Sequence, residues 1–329
     1  MTQGTQFAGE RGATVSVQPH LTCRPARRRG LRAVTITAIG LCVTAASWAH
    51  LAHEDREHFV SALPWTFEGW ELTCLALSAG LYALGLLRLW RHAGALRGIG
   101  SAPVVAFFAG WLAVIAALVS PLDAMGAELF SAHMVQHEML MIVAAPLLVL
   151  GRPLAVWVWA LPKVCRRPLG GFFHHPAWRA PWLLITAPFW AWSLHALALW
   201  LWHLPALFDA ALRSETVHTW QHLSFLLTAL LFWWSVFGGA TRRERGVALV
   251  SLFTTMVHTG ALGALLTLSS VVWYTAYLHS APAWGLSALQ DQQLGGVVMW
   301  VPAGIVYIVC GLWLAGRWLA EEPRSALVA

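Results

Sequence analysis

The chain has 329 residues, 58% of them hydrophobic and only 11% charged, with 21 tryptophans and a formal net charge of +6. Soluble globular domains carry about 25% charged residues, so this composition excludes an ordinary soluble domain and makes lipid the solvent for most of the chain. The positive balance does not point to nucleic acid, because the basic residues fall in short loops between apolar runs and form no binding stripe.

A helix needs about 20 mainly apolar residues to cross the hydrocarbon core. Eight runs qualify in chain order: 31–49, 68–90, 102–122, 128–150, 181–202, 216–238, 247–270 and 294–319. The predicted fold class is all-α, a polytopic transmembrane helix bundle with seven core helices plus one N-terminal span, eight in the uncleaved chain. The expected organisation is a basic cytoplasmic tail over 1–30, a first span or signal anchor over 31–49, an outer loop over 50–67, a seven-helix core over 68–319 and a cytoplasmic tail over 320–329. Arg27, Arg28 and Arg29 precede the first run, whose Ser47-Trp48-Ala49 end also reads as a signal-peptidase site. The 30-residue leader is long for a signal peptide, which argues for retention. Residues 151–180 are the one large hydrophilic loop expected within the core.

Charge sets the direction. The N-terminal tail, with Arg32 at the start of the first run, and the loops at 88–101, 151–180, 240–246 and 317–329 hold 19 of the 21 basic residues, and the opposite loops hold only Arg56 and Arg213. The positive-inside rule makes the first set cytoplasmic and predicts an N-in, C-in protein of a bacterial inner membrane. Glu54, Asp55, Glu57, Asp123, Glu128, Asp209, Glu215 and Asp291 show the reverse bias and lie outside or at the outer boundary. Five scattered cysteines without a C-x-x-C pair argue against a disulfide framework or a thiolate metal cage.

Of 15 histidines, only His20, His92, His174 and His175 fall on the cytoplasmic side. His50, His53 and His58 sit in a polar outer loop and are read as solvated. The sharper signal is a repeated motif: His133-Met134-Val135-Gln136-His137 opens the fourth span, and His218-Thr219-Trp220-Gln221-His222 opens the sixth. Both are H-x-x-Q-H at the outer end of a helix running inward. Residues i and i+4 share a helix face, so each motif presents two imidazoles one turn apart at similar depth. Two such helices side by side would offer His133, His137, His218 and His222 to one metal ion. Met141 continues the first stripe with a soft thioether. The plainer alternative is that these histidines hydrogen-bond between helices or anchor at the interface. A metalloprotease reading is weak, because Gln136 and Gln221 stand where H-x-x-E-H needs a carboxylate base.

His195, His203 and His258 are further candidates, His203 beside a helix-stopping proline and His258 deepest, either supporting a metal ligand from behind or hydrogen-bonding within the core. Pro146, Pro188 and Pro302 lie inside spans and free backbone carbonyls there.

Ser120-Pro121-Leu122-Asp123, Phe130 to His137, Pro146-Leu147-Leu148 and Gly151 closely resemble the central signature of the CtaG family of haem-copper oxidase assembly factors. The resemblance continues through Trp202-His203-Leu204-Pro205, the His218–His222 pair and Phe232-Trp233-Trp234. It ends with Asp291-Gln292-Gln293-Leu294-Gly295-Gly296 and Met299-Trp300, and covers about residues 68–318. Phe208 departs from the family by standing where a tyrosine is expected.

The resemblance implies a non-enzymatic factor for assembly of a haem-copper oxidase, with oxidase subunits and the lipid bilayer as partners and copper as a transient cargo. It carries the role of metal-site candidate to His133, His137, His218 and His222, with less weight for His203, Met141 and Asp291. Asp123, Gln136, Gln221, Gln292, Gly295, Gly296, Met299 and Trp300 are its remaining motif positions. Imidazole suits copper in either oxidation state, and thioether favours the reduced ion. Three rival readings stay open: a haem-binding electron-transfer protein clamping haem through paired histidines, a copper or small-molecule transporter, and a scaffold that binds no metal.

Overall fold

The computed structural model describes residues 64–238 and 241–320. The tail over 1–30, the run over 31–49, the loop over 50–63 and the tail from 321 lie outside the described residues, and with them the choice between retention and cleavage of the first span.

The described elements in chain order are α1 (Gly69–Ala93), α2 (Ser101–Leu118), α3 (Pro121–Glu128), α4 (Phe130–Leu150), α5 (Pro153–Ala160), α6 (Lys163–His174), α7 (Pro176–Ile185), α8 (Pro188–Trp202), α9 (Pro205–Arg213), α10 (Glu215–Phe237), α11 (Arg242–Thr267) and α12 (Ala288–Ala320). The protein is an all-α polytopic bundle. Helices α1, α2, α4, α10, α11 and α12 are long and apolar enough to cross a membrane, and α7 with α8 makes a seventh if that bent pair counts as one span.

Several boundaries differ from the sequence expectation for local reasons. The fifth span is not one continuous helix. Ala187 is extended ahead of Pro188, and α7 and α8 meet at 64°, because the residue before a proline is driven out of the helical region. The expected 151–180 loop folds instead as α5, α6 and α7. Proline opens α5 and α7 and lies immediately before α6, where its missing N–H costs no helical hydrogen bond. The third span ends at Leu118, and Ser120 caps a separate α3 through its side chain. Helix α11 starts earlier than expected because Thr241 and Glu244 form a reciprocal capping box.

Helix α4 is the axis of the bundle. In its most apolar stretch 61% of the residues are buried, against 22–39% in the other spans, so its side chains meet protein on most sides rather than lipid. A core including Phe130, Met141, Phe225, Trp233, Met299 and Tyr307 joins α4 to α10, α11 and α12. A second cluster around Tyr82, Phe107 and Val156 joins α1, α2 and α5, with the Tyr82 hydroxyl donating to the Gly151 carbonyl at 2.9 Å. Helices α11 and α12 pack backbone to backbone. A Cβ on Gly296 would stand 2.6 Å from the Gly263 carbonyl and 2.5 Å from Thr267 Oγ1, the close approach small residues permit between membrane helices.

One span contains a register change. Met139–Ala144 is a π-helical turn, and the Ala145 N–H bonds to the Leu140 carbonyl five residues back. Pro146 has no N–H to offer Ile142, so the ladder is interrupted at this point in any case. The extra residue falls immediately below the first H-x-x-Q-H motif, and π turns of this kind recur at functional sites.

Candidate metal centre

The N-terminus of α4 is built from the far end of the chain. Asp291, at the start of α12 and fully buried, accepts hydrogen bonds from Phe130 N at 2.6 Å, Ser131 N at 3.0 Å and Ser131 Oγ at 2.6 Å. A carboxylate satisfying the unpaired N–H groups of a helix start is a cap supplied in trans. Asp291 therefore positions the helix that carries His133 and His137. The rest of its motif has the same character. Gln292 accepts from Trp273 N and donates to the Val271 carbonyl, fixing the loop between α11 and α12. Gly295 leaves room for the Phe130 ring, which a Cβ there would approach to 2.4 Å. Met299 is buried in the core, whereas Trp300 is exposed.

With α4 so placed, the two histidine motifs face each other. His133, His137 and His222 each offer a ring nitrogen, and these atoms lie within 4.8 Å of one another. All three residues are buried. Ions with imidazole ligands at about 2.0–2.1 Å hold neighbouring nitrogens roughly 3.3–4 Å apart, so small side-chain rotations would close the group on one ion. The fourth expected ligand stands one step out. The His218 ring lies 4.2 Å from that of His222 and 5.1 Å from that of His133 between centroids, but His218 is not in the converging group.

Hydrogen bonds hold the rings in place. His133 Nδ1 lies 3.3 Å from the Gly126 carbonyl and 3.4 Å from the Tyr277 hydroxyl, and its Nε2 lies 3.3 Å from Gln221 Oε1. A ring protonated on Nδ1 donates to Gly126, and one protonated on Nε2 donates to Gln221. His203 is settled by a single contact: its Nδ1–H donates to the Leu199 carbonyl at 2.7 Å and its Nε2 has no partner. Burial, only partly opposed by that bond, pushes the His203 pKa down to about 4. His203 is therefore neutral at physiological pH and lies next to His137, 6.0 Å between ring centroids. Both ring nitrogens of His137 and Nε2 of His222 are buried without partners. Unpaired buried polar atoms cost free energy, and a shared ion would take one nitrogen of His137 together with His222 Nε2. A hydrogen bond like that from His203 to the Leu199 carbonyl is the usual means of orienting an imidazole ligand.

The remaining candidates sort by contact. Gln136 is held by donating to Ala117 O and Asp123 Oδ1, both at 2.9 Å, so it ties α4 to α3. Met141 is buried in the apolar core, and its carbonyl accepts from Trp233 Nε1 at 2.8 Å. His258 lies beside Trp192 with both ring nitrogens unpartnered, and His195 meets Thr228. Neither joins the converging group. Phe208 packs on His133 at 5.0 Å.

Two tyrosines missed by the sequence reading pack beside the imidazole group. Tyr274 donates to the His203 carbonyl at 2.8 Å and Tyr277 to the Gly126 carbonyl at 3.0 Å. Their i, i+3 spacing in an otherwise unassigned loop, in a chain with four tyrosines, was the available signal.

The sequence profile described as cytochrome c oxidase caa3 assembly factor matches residues 80–321. Among curated proteins, uncharacterized proteins of Mycobacterium bovis and Mycobacterium tuberculosis are each 30% identical over 275 residues, covering 78% of this chain and 40% of theirs. An uncharacterized Mycobacterium leprae protein is 27% identical over 268 residues, covering 78% of this chain and 39% of its own. The chain thus spans about two-fifths of the length of these relatives. No solved structure matches.

Proposed function

The chain belongs to the cytochrome c oxidase caa3 assembly factor family, and from that premise we propose that it holds copper in transit to a haem-copper oxidase, at a site made by His133, His137 and His222. The observation that carries this reading is the convergence of three buried imidazoles, two of which, His137 and His222, have ring nitrogens without a protein partner. His203 is the nearest candidate for a fourth ligand. Neutral imidazoles form an exchangeable donor set, unlike a closed thiolate cage, and exchangeability is what a transfer protein needs. The role is non-catalytic, and its partners are oxidase subunits within the bilayer.

A haem reading is less well supported. The imidazoles touch one another, with His137 and His222 at 5.3 Å and His133 and His137 at 4.4 Å between centroids. His133 and His137 also share one helix and do not oppose each other across a porphyrin slot. Gently purified protein is expected to contain about one copper per chain and to show no strong Soret band. A stoichiometric bis-imidazole haem spectrum would overturn the copper reading.

The placement of basic residues supports an inner-membrane protein with this site at the outer face. Cys165, exposed on α6, then belongs to the cytoplasmic side. An impermeant thiol reagent should label it in inverted vesicles and leave it unlabelled in intact spheroplasts. Labelling from outside would reverse the orientation.

A further inference from the structure

Beside the histidines, a cavity of about 510 Å³ runs between α1 and α10. Most of its wall is apolar, but Glu68, Glu71, Asp123 and Glu215 gather along it together with His218 and His222. Glu68, Asp123 and Glu215 come from the outer helix ends. They are close enough to feel one another: the Glu68 carboxyl is held above its ordinary range by burial first and then by Glu215 and Asp123. Asp123 is also raised by burial, against the opposing influences of its Gln136 hydrogen bond and of His218.

Two further observations point to a ligand. His222 is 7% exposed, lines the cavity and has an unpartnered Nε2, and Glu71 Oε2 is likewise buried without a partner. Tyr274 and Tyr277, which hydrogen-bond to the His203 and Gly126 carbonyls beside the imidazole group, do not line this cavity.

We propose that this cavity is the cation entrance to the histidine site, with Glu68, Asp123 and Glu215 collecting a soft monovalent or divalent metal ion and His218 passing it to His222. This deepens the copper reading and rests on it. It assigns His218, the histidine left outside the converging group, a relay position between carboxylates and imidazoles. The apolar walls strengthen the effect, since low-dielectric surroundings focus the field of clustered charges and raise the local concentration of a counter-ion.

The entrance is tested by loading kinetics on the full chain in detergent, with Cu(I) supplied under ascorbate and followed by stopped flow. The Glu68→Gln/Glu215→Gln double variant should load about tenfold more slowly at low salt. Its final copper content and affinity should stay within about twofold of wild type. Added salt should slow the wild type and leave the variant almost unchanged. Equal rates and equal salt dependence for both proteins would overturn the entrance. A wild type that takes up no copper would instead overturn the site itself.

A second measurement does not depend on copper. Cys74 lines the same cavity. In a chain with Cys23, Cys42, Cys165 and Cys310 replaced by serine, a cationic methanethiosulfonate should modify Cys74 at least fivefold faster, relative to a free thiol, than its anionic counterpart. Glu68→Gln/Glu215→Gln should shrink that ratio. No charge preference would sink the proposal whether or not the double variant folds well.

Discussion

His137→Ala is expected to lower copper affinity by roughly a hundredfold or more, an effect at least as large as loss of an outer-shell partner of a metal ligand. His137 is central to the imidazole group: its ring meets those of His133, His203 and His222, and neither of its nitrogens has a protein partner. Removing it breaks no hydrogen bond and orphans no buried donor, so insertion and accumulation should be close to wild type. His222→Ala should match it, and the double variant should be little worse than either single one, because ligands of one ion act as a unit. His218→Ala should slow loading while changing equilibrium affinity less than tenfold. Competition with a chromophoric copper chelator, with oxidase activity measured in cells, decides the matter. Additive small losses, or normal oxidase assembly in the double variant, would assign these histidines to packing.

Asp291→Ala should be the most damaging change away from the imidazoles. It removes the acceptors for Phe130 N, Ser131 N and Ser131 Oγ together and leaves the start of α4 uncapped in a buried setting. The loss should be roughly 3 kcal/mol, from an N-cap with charge-assisted hydrogen bonds, seen as a lower unfolding midpoint in detergent. Copper affinity should fall by about tenfold to a hundredfold, the range for groups that orient ligands. Asp291→Asn keeps one acceptor oxygen and should fall between wild type and Ala in both stability and affinity. If Asn and Ala both abolish copper binding while leaving the unfolding midpoint untouched, Asp291 is a ligand and the capping role fails.

Different physics made different parts of this protein legible. Helix positions were readable because a bilayer leaves backbone polar groups no partner but their own helix, and the H-x-x-Q-H pairs were readable because i, i+4 spacing places two rings on one face whatever the tertiary structure. The break at Pro188 was visible as a proline but not as a bend. A proline inside a span is compatible with a kinked, continuous helix, and whether the chain turns depends on what packs around it. The helices within 151–180 escaped because their basic residues masked short segments that need neither length nor high hydropathy to be helical.

At the site, the resemblance and the spacing named His133, His137, His218 and His222 as equals. The structure divides them into three that converge, of which His222 also borders an acidic cavity, and His218, which lines that cavity outside the converging group. It likewise moves Asp291 from possible ligand to cap. Glu68 and Glu71 went unremarked because nothing local distinguishes two carboxylates at a helix start from solvated ones; they matter only because α10 brings Glu215 and His218 against them.

The helical bundle, six of its long apolar helices and the paired imidazoles were legible in the residues alone, since each follows from interactions within one helix or between one helix and its solvent. Which imidazoles share a point in space, which carboxylate caps which helix and which wall stays open emerged from the packing. Those are relations between segments up to 161 residues apart, as for Phe130 and Asp291, and they are set by packing of whole helices, which no local spacing encodes.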